Sequence, residues 1–274
     1  MDLMKKFLKN KQFIFFFVLA VIIVLTALFA PWIAVKNPYD AIMTDSLLSP
    51  SDQYIWGTDR LGRDLFSRVI YGTRPSLIMT FTLISVVFLT GTFLGVTAGY
   101  FGGAVDAVIM RFADMMISFP GLVLAIAVAG ILGPNMVNSV LAVALVSWPK
   151  YARLSRSLIL KVKQNTYVEV AIVGGARHGK IIMKYLIPNM ITTVIVTATT
   201  DIGTLMLELA ALSFLGFGAQ APTPEWGLML NEGRTYISKA PWLIMYPGAA
   251  IITVVIVFNM LGDSIRDILD PKNE

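Results

Sequence analysis

Long stretches of this chain carry almost no charge. Gln12 to Val35 contains no Asp, Glu, Lys or Arg, and Pro75–Val105, Met115–Pro149 and Ala240–Gly262 are equally free of them. Met190–Phe217 carries only Asp201 and Glu208. A bilayer core about 30 Å thick is crossed by roughly 20 apolar residues in a helix. Inside it every backbone N–H and C=O must find a partner within the structure, which leaves helices or closed barrels. These lengths predict an all-α, polytopic membrane protein. Met115–Pro149 holds two spans joined by a tight turn at Gly133-Pro134-Asn135, so the expected count is six transmembrane helices. Only 14% of residues are charged, against about 25% in soluble domains, and the mean hydropathy is +0.73.

The ends of these spans set the expected topology. Lys5, Lys6, Lys9 and Lys11 precede the first span, and the stretch from Lys150 to Asn189 holds eight bases against one acid, Glu169. Basic segments between apolar spans stay on the cytoplasmic side, so both termini and the 150–189 loop are expected inside a cell membrane. A cleavable leader is the competing reading of the amino end; the apolar run is too long for one, and Pro31 after Ala30 obstructs cleavage. The same bias accounts for the net charge of +5, and nucleic acid is not an expected partner. We divide the chain at residue 74. Residues 1–74 hold the first span and an extracellular segment with five acids and five bases between Lys36 and Arg74, and residues 75–274 form the core with the other five spans and the 150–189 loop. From Leu61 the apolar spacing predicts an amphipathic helix at the interface, with Asp59–Arg63 and Asp64–Arg68 as i,i+4 pairs. Gly91, Gly95 and Gly99 recur every four residues, a pattern that lets helices pack closely in lipid. Trp242 and Tyr246 are expected at the outer interface.

The basic loop reads as helix, break, helix. Val168–Val173 is apolar, Gly174-Gly175 interrupts it, and Gly179–Leu186 resumes until Pro188 stops it. Gly174, Gly179 and Lys180 are one residue short of a phosphate-binding loop; Ile181 stands where Ser or Thr would hold magnesium, and no strand precedes it. If the chain's work uses ATP, another subunit is therefore expected to hydrolyse it. With no cysteine and one histidine, neither thiol chemistry nor a metal cluster is expected, and His178 is expected to be solvated or at a partner interface. Asp201 and Glu208 lie seven residues apart on one helical face. Intramembrane acids mark pathways or polar pairing, and both uses stay open.

Glu169-Val170-Ala171, then Gly175 and Ile187-Pro188-Asn189, resemble the EAA loop of ABC importer permeases at matching spacing. Val170, Tyr185 and Ile187 replace the usual Ala, Ile and Leu. The blocks Trp56–Asp64, Ala98–Gly103, Leu212–Gly216, Pro222–Gly227, Phe258–Asp263 and Asp270-Pro271 are similar to the C-type permease of dipeptide, oligopeptide and nickel importers, from the first span to the carboxyl end. The resemblance implies a type I importer permease fold with a cytoplasmic coupling helix. It also implies a heterodimer with a second, homologous permease, two ATPase subunits that bind ATP and magnesium, and an extracellular or periplasmic substrate-binding protein. Glu169, Ala171, Gly174, Gly175, Arg177 and Pro188 would couple to the ATPases, with no catalytic, cofactor or metal residue in this chain. Asp201 is more like the nickel branch, yet a carboxylate equally meets a peptide's amino group. The alternatives are a secondary transporter or channel with Asp201 and Glu208 as ion sites, and a scaffold without transport.

Overall fold

The computed structural model describes residues 2–269, with side chains from Lys6 to Leu269. Among them there is no β-strand, only an isolated antiparallel bridge between Thr58 and Asp64. Twelve helical segments follow one another: α1 (Asp2–Lys9), α2 (Lys11–Leu28), α3 (Ala30–Ile33), α4 (Leu65–Phe101), α5 (Gly103–Ile117), α6 (Gly121–Leu132), α7 (Met136–Lys163), α8 (Thr166–Val173), α9 (His178–Lys180), α10 (Ile187–Phe214), α11 (Trp226–Gly233) and α12 (Trp242–Leu269). The Asp270-Pro271 block lies outside the described residues.

α2, α4, the stretch His178–Phe214 and α12 are each long and apolar enough to cross a bilayer. A fifth crossing is available if α5 and α6, bent by 93°, form one broken span. The third span thus differs from the expected run from Met115. Pro120 cannot continue α5, because its ring excludes the helical conformation at the preceding residue, and the chain turns at 118–120. α7 is 28 residues long, but it is charge-free only over 136–149, about 21 Å of helix. Its second half, from Lys150 to Lys163, continues the helix where an irregular loop was expected.

α4 and α7 form the most extensive helix pair, and the glycine stripe is the reason. A Cβ on Gly91 would stand 2.5 Å from Tyr151 Cβ, one on Gly95 2.3 Å from the Ala152 carbonyl oxygen, and one on Gly99 2.9 Å from Ile159 Cγ2. Bare backbone on α4 therefore seats α7 directly, as the four-residue spacing predicts. α10 and α12 pack together and against α4. α2 buries only Ala20.

One end of the bundle is closed by residues 34–64 folded over α11. α4 begins at Leu65, later than expected, because the Asp64 carboxylate accepts the Ser67 N–H (2.8 Å) and caps the helix. Asp64 is then not the partner of Arg68, and no separate interfacial helix forms; α4 runs on into its span. Trp56 stacks on Tyr246 with centroids 4.4 Å apart, and Trp242 Nε1 donates to the Thr58 carbonyl (3.2 Å). These rings pack on the 34–64 segment, not in a lipid-facing belt. Tyr54 donates its hydroxyl to Asp45 (2.5 Å), and this bond pushes the phenol up to about 12.

The region expected to be a plain loop between the fifth and sixth spans contains α11, whose first four residues are buried. Glu225 caps it, accepting N–H bonds from Gly227 (2.9 Å) and Leu228 (2.8 Å). Burial pushes the Glu225 carboxyl above its usual range, against the pull of these donors.

Candidate functional site

Two regions carry polar chemistry that packing alone does not require. The first is the segment that joins α7 to α10. Only Gln164 and Asn165 separate α7 from α8. α8 ends in a closed cap: Gly175 N–H donates to the Ile172 carbonyl (3.0 Å) and Ala176 N–H to the Ala171 carbonyl (3.1 Å). This six-to-one and five-to-two pattern needs a left-handed residue after the helix, and Gly175, at φ +73°, supplies it. Gly174, at φ −72°, keeps an ordinary conformation, so the break belongs to Gly175.

Past the break, Arg177 leads into α9 and a π-helical turn over Ile181–Leu186. Pro188 does not stop this helix. It stands in the first turn of α10, where its missing N–H costs little. The Ile187 N–H reaches back to the Ile182 carbonyl, the wide spacing of a π-turn, and the Asn189 side-chain amide donates to the Tyr185 carbonyl (2.6 Å). The helix therefore runs from His178 to Phe214 through a softened joint.

Val168 is the one buried anchor of α8. Around it Val170 is 65% exposed and Val173 89%, with Tyr167, Ile172 and Met183 also on the surface. Glu169 and Arg177 are exposed and form no ion pair among the described residues. His178 is not simply solvated: its Nδ1 bonds the Tyr100 hydroxyl at the end of α4 (2.6 Å), and Lys163 donates to the Tyr100 carbonyl (3.0 Å).

The second region surrounds Asp201. Its carboxylate accepts from Lys150 Nζ (2.7 Å) and the Tyr151 hydroxyl (2.9 Å), both on α7. It lines a cavity of about 460 Å³ that also meets Ile117, Ser147, Arg153, Thr204 and Glu208. A second cleft of about 500 Å³, with Thr192, Thr193, Thr197, Thr200 and Arg266, shares Lys150 and Asp201 with the first. The helical spacing does bring Asp201 and Glu208 to one cavity. Glu208, half-buried, makes no hydrogen bond or ion pair among the described residues. Asp201 thus pairs with α7 and also borders a cavity.

Several polar residues went unmarked in the sequence. Lys150 was only one base among eight, although it is the first charge after the fourth apolar stretch, where a partner for an intramembrane acid belongs. Arg63 and Arg68 are fully buried. Arg63 Nε pairs with Asp59 (2.6 Å), as the spacing foretold, and both arginines reach Glu232 on α11 (3.1 and 3.3 Å). Arg68 Nη1 also donates to the carbonyls of Pro38 (3.3 Å) and Pro222 (3.4 Å). No local pattern announces a partner some 160 residues away.

Residues 91–274 match the family described as binding-protein-dependent transport system inner membrane component. Residues 1–50 match the N-terminal TM domain of oligopeptide transport permease C. The chain is 42% identical to the dipeptide transport system permease protein DppC of Alkalihalophilus pseudofirmus, over 98% of this chain and 88% of that one. It is 43% identical to the probable D,D-dipeptide transport system permease protein DdpC of Escherichia coli K12, over 93% and 86%. To the nickel transport system permease protein NikC of the same organism it is 40% identical, over 93% and 92%. Among solved structures, an inward-facing form of the MetNI methionine ABC transporter has the same fold, with a TM-score of 0.61 at 17% identity over 75% of this chain and 98% of that one.

Proposed function

Because this chain belongs to the binding-protein-dependent transport system inner membrane component family, and is the permease subunit of an ABC importer, we propose that the segment 150–189 is its cytoplasmic coupling element. α8 and the turn after it dock on a partner ATPase, with Glu169, Ala171, Gly174, Gly175, Arg177 and Pro188 as the coupling residues. The observation that carries this reading is the exposure of Val170 and Val173 beside unpaired Glu169 and Arg177. Apolar side chains exposed on a polar, basic segment between spans are covered by another protein, not by lipid.

On this reading α2, α4, the α5–α6 pair, α7, α10 and α12 make six crossings, and both termini are cytoplasmic. Residues 34–64 and α11 then face outward, toward a substrate-binding protein. A second, homologous permease completes the pathway, and two ATPase subunits bind and hydrolyse ATP with magnesium. Residues 1–74 form the first span and outer segment, and 75–274 the permease core. Asp201 and Glu208 line the route, and Lys150 neutralises Asp201 so that a charged substrate meets a balanced wall. The relatives carry names for dipeptides, D,D-dipeptides and nickel at nearly equal identity, and a short peptide or a nickel species is the expected cargo.

The test is uptake by the reconstituted importer. Asp201→Asn should assemble with the ATPases normally and lower transport by about tenfold, the scale of a lost buried charge contact of 1–3 kcal/mol. Undiminished uptake removes Asp201 from the route. Loss of α8 without loss of ATPase binding removes the coupling assignment.

A further inference from the structure

The coupling element has a second structural connection besides α10, and it leads back to the cavity. α7 runs without a break from the cavity wall, at Ser147 and Lys150, to within two residues of α8. Along this second half it holds α5. Arg156 grips Asp106 with both Nε (2.5 Å) and Nη2 (2.6 Å), and Arg153 pairs with Asp114.

Apart from its packing on α4 and α7, little else fixes α5. It buries a single residue, Ala113. Its start is a bare swivel, Gly102 and Gly103 at φ +66° and +54°, with nothing within 4 Å of where their side chains would be. Its far end, Ile117, lines the cavity beside Asp201 and Glu208, and the chain then turns through 93° into α6. α5 is therefore a rod joined to α4 through two glycines, tied to α7 by charge, with its tip in the pathway wall.

We propose that the Arg156–Asp106 pair is a positioning contact through which movement of α8 and α7 carries the α5–α6 corner, and so opens or closes the cavity. This rests on the importer reading above. Of the two ion pairs this one is decisive. It is two-pronged and its side chains are 34% and 20% exposed, whereas Arg153 and Asp114 are each about half exposed, where a pair contributes little. Two parallel bonds also fix direction, which one contact cannot.

The experiment uses the whole importer, with its ATPases and binding protein, reconstituted in liposomes, and reads substrate moved per ATP hydrolysed. Asp106→Arg and Arg156→Asp should each leave co-purification with the ATPases intact and hydrolysis near normal, while transport per ATP falls about fivefold or more, the scale of a coupling free energy. The double variant D106R/R156D restores the pair with its charges exchanged and should recover most of the ratio. Single variants that keep the ratio overturn the proposal, as does a double variant no better than the singles. Singles that fail to assemble overturn it too, since the pair is then a folding brace. A wild-type chain that binds no ATPase sinks the importer reading, and this one with it.

Discussion

At the capped end of the bundle, two buried arginines pair with buried Asp59 and half-buried Glu232, and Arg68 also takes the carbonyls of Pro38 and Pro222. At the coupling end, α8 leaves Val173 89% exposed and Glu169 without a partner. Both ends are rich in charge and both contain a glycine with positive φ at a tight turn, so composition does not separate them. What separates them is where the complement lies. The capped end finds its ion-pair partners within the chain, at separations up to 169 residues. The coupling end leaves its apolar and charged groups for something the chain does not contain. On the proposal above, the surface left incomplete is the side at which this subunit is driven, and the closely completed one is not.

That contrast can be broken by mutation, beginning where the effect should be greatest. Arg68→Ala leaves Asp59 and Glu232 facing one remaining buried arginine, and removing one member of such a group costs about 3–5 kcal/mol. Thermal unfolding of the purified protein in nanodiscs should show a large drop, and a drop no larger than that of a surface variant would mean the quartet is not a unit. A matched pair of glycine changes comes next. At Gly62 (φ +75°) a Cβ would stand 1.8 Å from the Ile42 carbonyl oxygen, while at Gly175 (φ +73°) it meets nothing within 4 Å. Gly175→Ala should cost only the left-handed strain of about 1–2 kcal/mol, and Gly62→Ala that strain plus overpacking of about 1–3 kcal/mol. Equal losses in the same unfolding measurement would erase the distinction between the two ends. Smallest in stability is Val173→Ser, expected within about 0.5 kcal/mol of wild type. Its effect should appear in ATPase co-purification instead, and undiminished recovery of the ATPase would show that this face of α8 is not covered.

Much of the architecture was legible because it rests on local pattern. Apolar runs located α2, α4, α10 and α12, the glycine stripe located a close-packing face on α4, and the paired glycines located the end of α8. The errors have physical causes as well. Pro188 reads as a stop because proline removes a hydrogen bond, but at the first turn of a helix there is no bond to remove. Asp64 and Arg68 have the spacing of a helical pair, yet a carboxylate at a helix start finds backbone N–H groups first. α11 was invisible because a buried helix of eight residues lacks the length that periodicity needs, although Glu225 before an apolar run was a faint sign of its cap. Lys150, Arg68 and Glu232 were out of reach: their partners are chosen by the packing of distant helices.

The distance along the chain between Arg68 and Glu232 has a consequence for synthesis. At about 5–20 residues per second, the two arginines emerge on the order of ten seconds before the acid that completes their neutralisation. Over that interval the nascent protein must keep two cations hydrated at the membrane surface with only Asp59 beside them. Closure of the cap is thereby timed to the arrival of α11, which carries Glu232.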